Sequence, residues 1–301
     1  MEIHYGTEIK RKIRNPIITT GSFDGIHFGH QCLIKYINRI AAHENGESVL
    51  VTFHPHPKKV LFPNQSLKLI QTLDEKIETL EATGLQHLVL IPFTKELAGI
   101  SSINFLRKYI IDAIGIHTMV IGYDHKFGKD RQGGVEFLIE LSKYYNFNVI
   151  QIDEQQVEFA TVSSTLIRYE ITKGDVEKAN EYLGYDWFLY GTVEPGTRMG
   201  RRIGYRSANL YIADDCKILP ATGVYDCSAL IAGKTYQALA FIDNAAVNNK
   251  VRVHILNFSD EIYGQQIRIA FHRFIRNKFQ FYSVTSLARQ IQSDVEKVLL
   301  D

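Results

Sequence analysis

The sequence predicts an α/β unit built on a parallel sheet, followed by an antiparallel β unit closed by a helix. Three observations predict it. Short Val/Ile/Leu-rich runs alternate with helix-period stretches through the first part of the chain, the pattern of a parallel sheet with helices on both faces. From Trp187 onward, evenly spaced short runs separated by Gly and Asn turns replace that pattern and suggest an antiparallel barrel or sandwich. A Gly-rich turn near the N-terminus joins an apolar run to an amphipathic one.

That turn is Gly21-Ser22-Phe23-Asp24-Gly25-Ile26-His27-Phe28-Gly29-His30. Pro16, Ile17 and Ile18 lead into it as a strand, and Leu33, Ile37 and Ile40 follow on one helical stripe. A turn of this kind lets backbone N–H groups approach an anion, and the helix N-terminus adds partial positive charge. His27 and His30 flank Gly29 at the mouth of the helix, where they can donate hydrogen bonds to a phosphate. Strands are expected at 48–53, 87–92, 117–121 and 147–152, and helices at 73–82, 103–113 and 135–145. The turn then lies at the carboxyl end of a sheet strand, where parallel sheets bind ligands. Two helices, 164–172 and 175–183, complete this part, with Asp175 as N-cap after Gly174.

The second part is expected as strands 188–193, 208–211, 223–230, 235–242, 250–258 and 265–273. A final helix over 285–300 turns Leu287, Ile291, Val295 and Leu299 to one face. The texture changes at about residue 186, dividing the chain into domains 1–186 and 187–301 without a long linker.

A chain of 301 residues with 45% hydrophobic residues has enough material for real cores. Its net charge of +1 gives no overall field toward nucleic acid or an acidic membrane. Cys32, Cys216 and Cys227 are too few and too scattered for a disulfide framework or a zinc site, and are expected as reduced thiols. No apolar run approaches the ~20 residues of a membrane span, and residues 1–14 have no apolar signal core, so a cytoplasmic protein is expected. Small molecules are the expected partners, with no nucleic acid, no membrane and no protein metal centre; a weak or transient homo-oligomer is left open.

Four stretches carry a family resemblance: the turn above; Thr52-Phe53-His54-Pro55-His56-Pro57; the run from Gly122 to Gly133; and Ser163-Ser164-Thr165-Leu166-Ile167-Arg168. In this order the chain resembles the prokaryotic bifunctional riboflavin kinase/FAD synthetases over almost its full length. The resemblance implies a Rossmann-like nucleotidyltransferase sheet followed by a riboflavin-kinase-like β-barrel with a terminal helix. It implies a transferase of FAD biosynthesis that moves AMP from ATP to FMN and releases pyrophosphate, with Mg²⁺ accompanying ATP. By resemblance, Gly21, Ser22, Phe23, Asp24, Gly25, His27, Gly29 and His30 bind ATP together with Ser163, Ser164, Thr165 and Arg168. His27, His30 and Arg168 are then the catalytic residues, holding phosphates while charge develops. Pro55, His56, Pro57 and Phe62, with Asp124 and Phe127, are implied for FMN.

The barrel half matches its family in outline but departs at the chemistry. Where the family has Pro-Thr-Ala-Asn, this chain has Arg206-Ser207-Ala208-Asn209. Where the family carries the glutamate that takes a proton from riboflavin, it has Arg252. Arginine does not deprotonate in proteins and is no base. The segment 242–249 is also shortened. The expectation is therefore an FAD synthetase whose kinase module is degenerate. The alternatives are a bifunctional enzyme with Asp260 or Glu261 as a displaced base, and a flavin-binding regulatory protein.

Overall fold

The computed structural model describes residues 1–65, 67–122, 134–152, 162–195, 204–243 and 250–299. The chain groups into two compact units, one of Met1–Leu67 with Lys76–Val162 and one of Lys68–Glu75 with Ser163–Asp301.

The first unit is built on six parallel strands: β1 (Glu2–Tyr5), β2 (Pro16–Thr20), β3 (Glu47–His54), β4 (His87–Pro92), β5 (Thr118–Ile121) and β6 (Asn148–Gln151). Their order is β1-β4-β3-β2-β5-β6, every neighbouring pair parallel. β2 and β5 are buried along their whole length, as strands covered on both faces must be. The chain winds one way from β2 through β3 to β4 and then crosses back to β5. β2 therefore stands at the reversal of strand order, and the loop after it opens on the ligand crevice of such sheets. Helix α1 (Phe28–His43) follows that loop and buries Ile34, Ile37 and Ala41. Next come the single-turn α2 (Pro57–Leu61), α3 (Leu73–Glu81) and α4 (Lys95–Ala98), then α5 (Ser102–Phe105) and α6 (Val135–Tyr145).

Two elements differ from the sequence expectation. The helix expected over 103–113 is α5 continued by a π-helical turn, Leu106–Asp112, through which Leu106 and Ile110 both stay buried. Strand β1 is not signalled by any apolar run. It is an edge strand, held by its ladder to β4 and by a buried pair, His4 Nε2 to His87 Nδ1 at 3.0 Å.

The second unit begins with α7 (Ser164–Lys173) and α8 (Val176–Leu183). Asp175 caps α8 as the sequence suggests, accepting from the Lys178 N–H, and Ser163 caps α7, accepting from the Leu166 N–H. Strands β7 (Phe188–Glu194), β8 (Ala208–Tyr211), β9 (Gly223–Ile231), β10 (Lys234–Ile242), β11 (Lys250–Ile255) and β12 (Gln266–Arg276) close into a barrel, and α9 (Val284–Leu299) follows. Every neighbouring pair of strands is antiparallel, so the open choice between barrel and sandwich resolves to a barrel. β11 ends at Ile255 rather than at 258, because Asn257 turns the chain with a positive φ of 55°.

At the base of this unit Lys217 is fully buried. Its ammonium pairs with Glu75 at 2.6 Å and donates to the Ile70 and Phe188 carbonyls. The indole N–H of Trp187 donates to the same Ile70 carbonyl at 3.1 Å. Such a satisfied network supplies the partners that a buried charge needs.

Candidate functional site

The turn after β2 departs from ordinary backbone in three places. Phe23 and Ile26 have positive φ (45° and 37°), and Gly25 has φ 91°. Non-glycine residues in that region are strained, and such strain concentrates at functional turns. Two donors hold the Ser22 carbonyl: Lys76 Nζ at 2.8 Å and Thr52 Oγ1 at 3.2 Å. The rings of His27 and His30 stack with centroids 3.7 Å apart, and Phe23 lies 4.7 Å from His30 on the other side. Nδ1 of each imidazole is buried without a hydrogen-bond partner.

Burial fixes the charge state of this group. It pulls the His27 imidazole down to about 4, against a weaker opposing pull from Asp24. It pulls His30 well below its usual value, helped by His27 and Lys76. Both rings are therefore neutral near pH 7. Lys76 is also lowered by burial, with Asp24 opposing. His27 is the N-cap of α1 but makes no capping bond, and no acidic side chain sits in the first helical turn. The positive end of α1 is thus not neutralised from within the helix, as suits an anion site.

The structure gathers Gly21, Ser22, Phe23, Asp24, Gly25, His27, Gly29 and His30 into this one turn. The Thr52–Pro57 motif runs off the end of β3 into α2, where His56 is the N-cap, accepting from the Lys58 N–H, and Pro57 is the first helical residue. Leu61 and Phe62 are exposed side by side at the far end of that short helix. Ser163, Ser164, Thr165 and Arg168 open α7 in the second unit. Glu170 and Asp175, near the end of the same helix, both bind Lys173. Asp124, Phe127 and the rest of their motif lie outside the described residues, as do residues 244–249.

In the second unit a cavity of about 610 Å³ is lined by residues of the barrel, of α9 and of the segment between them. Arg206, Ser207, Asn209 and Arg252 all line it. Arg252 stands opposite Asn209 across the β8–β11 ladder and lies over the Phe241 ring at 5.4 Å; among the described residues it makes no ion pair. Arg206 donates to the Ser259 carbonyl at 2.7 Å, and His254 bonds its backbone carbonyl at 2.6 Å. Two ion pairs stand in the wall, Arg276 with Asp294 at 2.7 Å and Lys278 with Asp243 at 2.7 Å. Asp260 and Glu261 line the same cavity.

Comparison with known proteins decides the family. A family model described as FAD synthetase matches residues 9–166, and one described as riboflavin kinase matches residues 183–299. The chain belongs to the bifunctional riboflavin kinase/FMN adenylyltransferase family. It is 33% identical to the Listeria monocytogenes bifunctional riboflavin kinase/FMN adenylyltransferase over 93% of this chain and 90% of that one. It is 31% identical to the Bacillus subtilis protein so described, over 97% and 94%. A crystal structure from Streptococcus pneumoniae, described as a macrolide-efflux protein, superposes with a TM-score of 0.86 at 30% identity, covering 98% of each chain. Among the described residues no helix is long and apolar enough to cross a membrane.

Of the two donors behind the turn, Thr52 opens the second motif but carried no assigned role there, and Lys76 lies outside every motif. Lys76 carried a readable signal. It occupies the stripe Leu73, Lys76, Ile77, Leu80, where the helical period calls for an apolar side chain. A third group, Glu2, His4 and His87, brings three metal-type donors within 4.8 Å of one another. The His4 Nδ1 accepts from the Lys10 N–H at 3.2 Å, so its Nε2 carries the proton and donates to His87. That proton stands where a metal would bind, and the cluster reads as a clasp for β1. None of the three cysteines is in a disulfide; Cys227 is buried and Cys32 and Cys216 are half-buried.

Proposed function

We propose that this chain makes FAD, transferring AMP from ATP to the phosphate of FMN with release of pyrophosphate, and that its barrel no longer phosphorylates riboflavin. The observation that carries the first half is the turn after β2. Two neutral imidazoles, a buried ammonium and an uncapped helix end converge there, at the carboxyl edge of a parallel sheet. In the reaction an FMN phosphate oxygen attacks the α-phosphorus of ATP and the bond to pyrophosphate breaks. The charge building on the α-phosphate and the leaving group needs fixed donors more than covalent help. His27 and His30 would donate to those oxygens, with Ser164, Thr165 and Arg168 of the α7 motif serving the triphosphate. Pro55, His56, Pro57 and Phe62 would border the flavin. Mg²⁺ would enter with ATP, its ligands drawn from phosphate oxygens and water.

The second half rests on Arg252. It lines the barrel cavity, stands where the resemblance leads one to expect a glutamate base, and can supply none. The second reading is a bifunctional enzyme, favoured by Asp260 and Glu261 lining the same cavity. Purified protein with MgATP, given riboflavin or FMN separately and resolved by chromatography, separates the two. FAD from FMN with riboflavin untouched is expected, and Arg252→Glu is then the rescue variant for kinase activity. Phosphorylation of riboflavin by the wild type overturns the loss of kinase activity and makes Asp260→Asn and Glu261→Gln the next variants. No turnover of either flavin leaves the barrel as a binding module.

A further inference from the structure

Lys76 is buried in α3 and holds the phosphate-type turn through a hydrogen bond to the Ser22 carbonyl at 2.8 Å. Burying an ammonium costs several kcal/mol unless its charge is used. Holding a carbonyl does not require a charge, since the Thr52 hydroxyl already donates to the same oxygen. The turn does lack a full positive charge of any other kind. His27 and His30 are neutral, and a helix N-terminus supplies only about half an elementary charge. Asp24, buried in the same turn, offsets part of the Lys76 charge and attracts no anion itself.

We propose that Lys76 is a positioning residue of this turn, whose ammonium fixes the Ser22 carbonyl and supplies the permanent positive charge that draws a polyphosphate onto the N-terminus of α1. The inference rests on reading the turn as the ATP phosphate site. It assigns the charge there to a side chain that no motif includes. The titratable groups facing Lys76 are Asp24, in the turn, and His30, in the first turn of α1.

The test uses the full chain and inorganic tripolyphosphate, measured by calorimetry. Lys76→Gln keeps a donor for the Ser22 carbonyl and removes the charge; affinity should fall about tenfold or more, the scale of one charge-assisted hydrogen bond. Lys76→Arg should stay within about threefold of wild type on the same scale. With the cation gone, the His30 ring should titrate at higher pH in the NMR spectrum of Lys76→Gln, a shift that a merely structural role does not produce. Wild-type affinity in Lys76→Gln, or an unmoved His30, overturns the proposal. Should that variant not fold, the wild type decides by its pH dependence. Binding that holds steady from about pH 7 to about pH 8.5 supports a lysine charge. A loss of about tenfold per pH unit would identify an imidazolium as the cation and overturn it. If Lys76→Gln loses tripolyphosphate in a chain that makes no FAD, the reaction assignment fails and the Lys76 role stands. If FAD is made and Lys76→Gln binds as wild type, the Lys76 role fails alone.

Discussion

His27 and His30 lie face to face at the start of α1, and burial keeps both from protonating at neutral pH. On the proposed reading, neutral rings suit donation to phosphate followed by product release, because neither ring holds a charge that would retain the products. Replacing either by alanine removes one donor from the developing charge. His27→Ala and His30→Ala are each expected to lower kcat/KM for ATP by about 10²–10³-fold. The KM for FMN should change little. Steady-state kinetics with ATP and FMN varied in turn checks this, and an equal loss for both substrates would argue for a collapsed turn instead. The two histidines were legible in the sequence because glycines and a strand–helix junction surround them. Their protonation state was not, since it depends on burial that only packing creates. Glu75 and Lys217 make the same point: 142 residues apart, they become a buried ion pair that no local pattern announces.

Elements were legible where their periodicity was strong. The strands of the parallel sheet read as short apolar runs because both of their faces are covered. The barrel strands read as alternating runs because one face meets the core. β1 was missed because an edge strand needs no apolar run, and α2 and α4 because single-turn helices are set by caps such as His56 and Thr94. Barrel closure depends on detail below the resolution of a hydropathy pattern. β12 shifts register against β9 between Phe271 and Arg273 and again between Phe274 and Arg276. Gly223 sits opposite the second shift, where an added Cβ would come 2.5 Å from the Phe274 ring and 2.8 Å from the Arg276 carbonyl. Gly223→Ala is expected to destabilise the barrel by about 1–3 kcal/mol, the cost of overpacking a filled site. The midpoint of urea unfolding, followed by the fluorescence of Trp187, reads that loss, and an unchanged midpoint would show that the bulge yields.

At the scale of the whole chain, the two units carry opposite pH signatures. In the first, His4, His27, His30 and His87 are all held below the usual histidine range, chiefly by burial. A depressed histidine contributes stability above its unfolded value of about 6.5, and that stability drains away as pH falls toward its folded value. For His27, falling to about 4, the loss amounts to roughly 3 kcal/mol once both values are passed. In the second unit His272 is raised, chiefly by its hydrogen bond to Asp186. Its contribution is present below about pH 6.5 and is lost as pH rises through its folded value. Acid should therefore weaken the first unit before the second. Thermal unfolding at about pH 7.5 and about pH 5 would show this. The far-UV circular dichroism midpoint should fall further than that of Trp187, the single tryptophan, which lies buried in the second unit. A Trp187 transition that falls first, or equally, contradicts this account.

The sequence by itself determined the fold class, the change of architecture near Trp187, the glycine-rich turn with its two histidines and the arginine at position 252. Each is written in local spacing or in the identity of one residue, and local patterns survive without knowledge of packing. Tertiary structure decided the rest. It set the charge state of the two imidazoles and placed Lys76 behind the turn. It closed six strands into a barrel and brought Arg206, Asn209, Arg252, Asp260 and Glu261 to one cavity. Those outcomes depend on which distant residues exclude water from one another, and desolvation is a property of the packed chain rather than of any stretch of it.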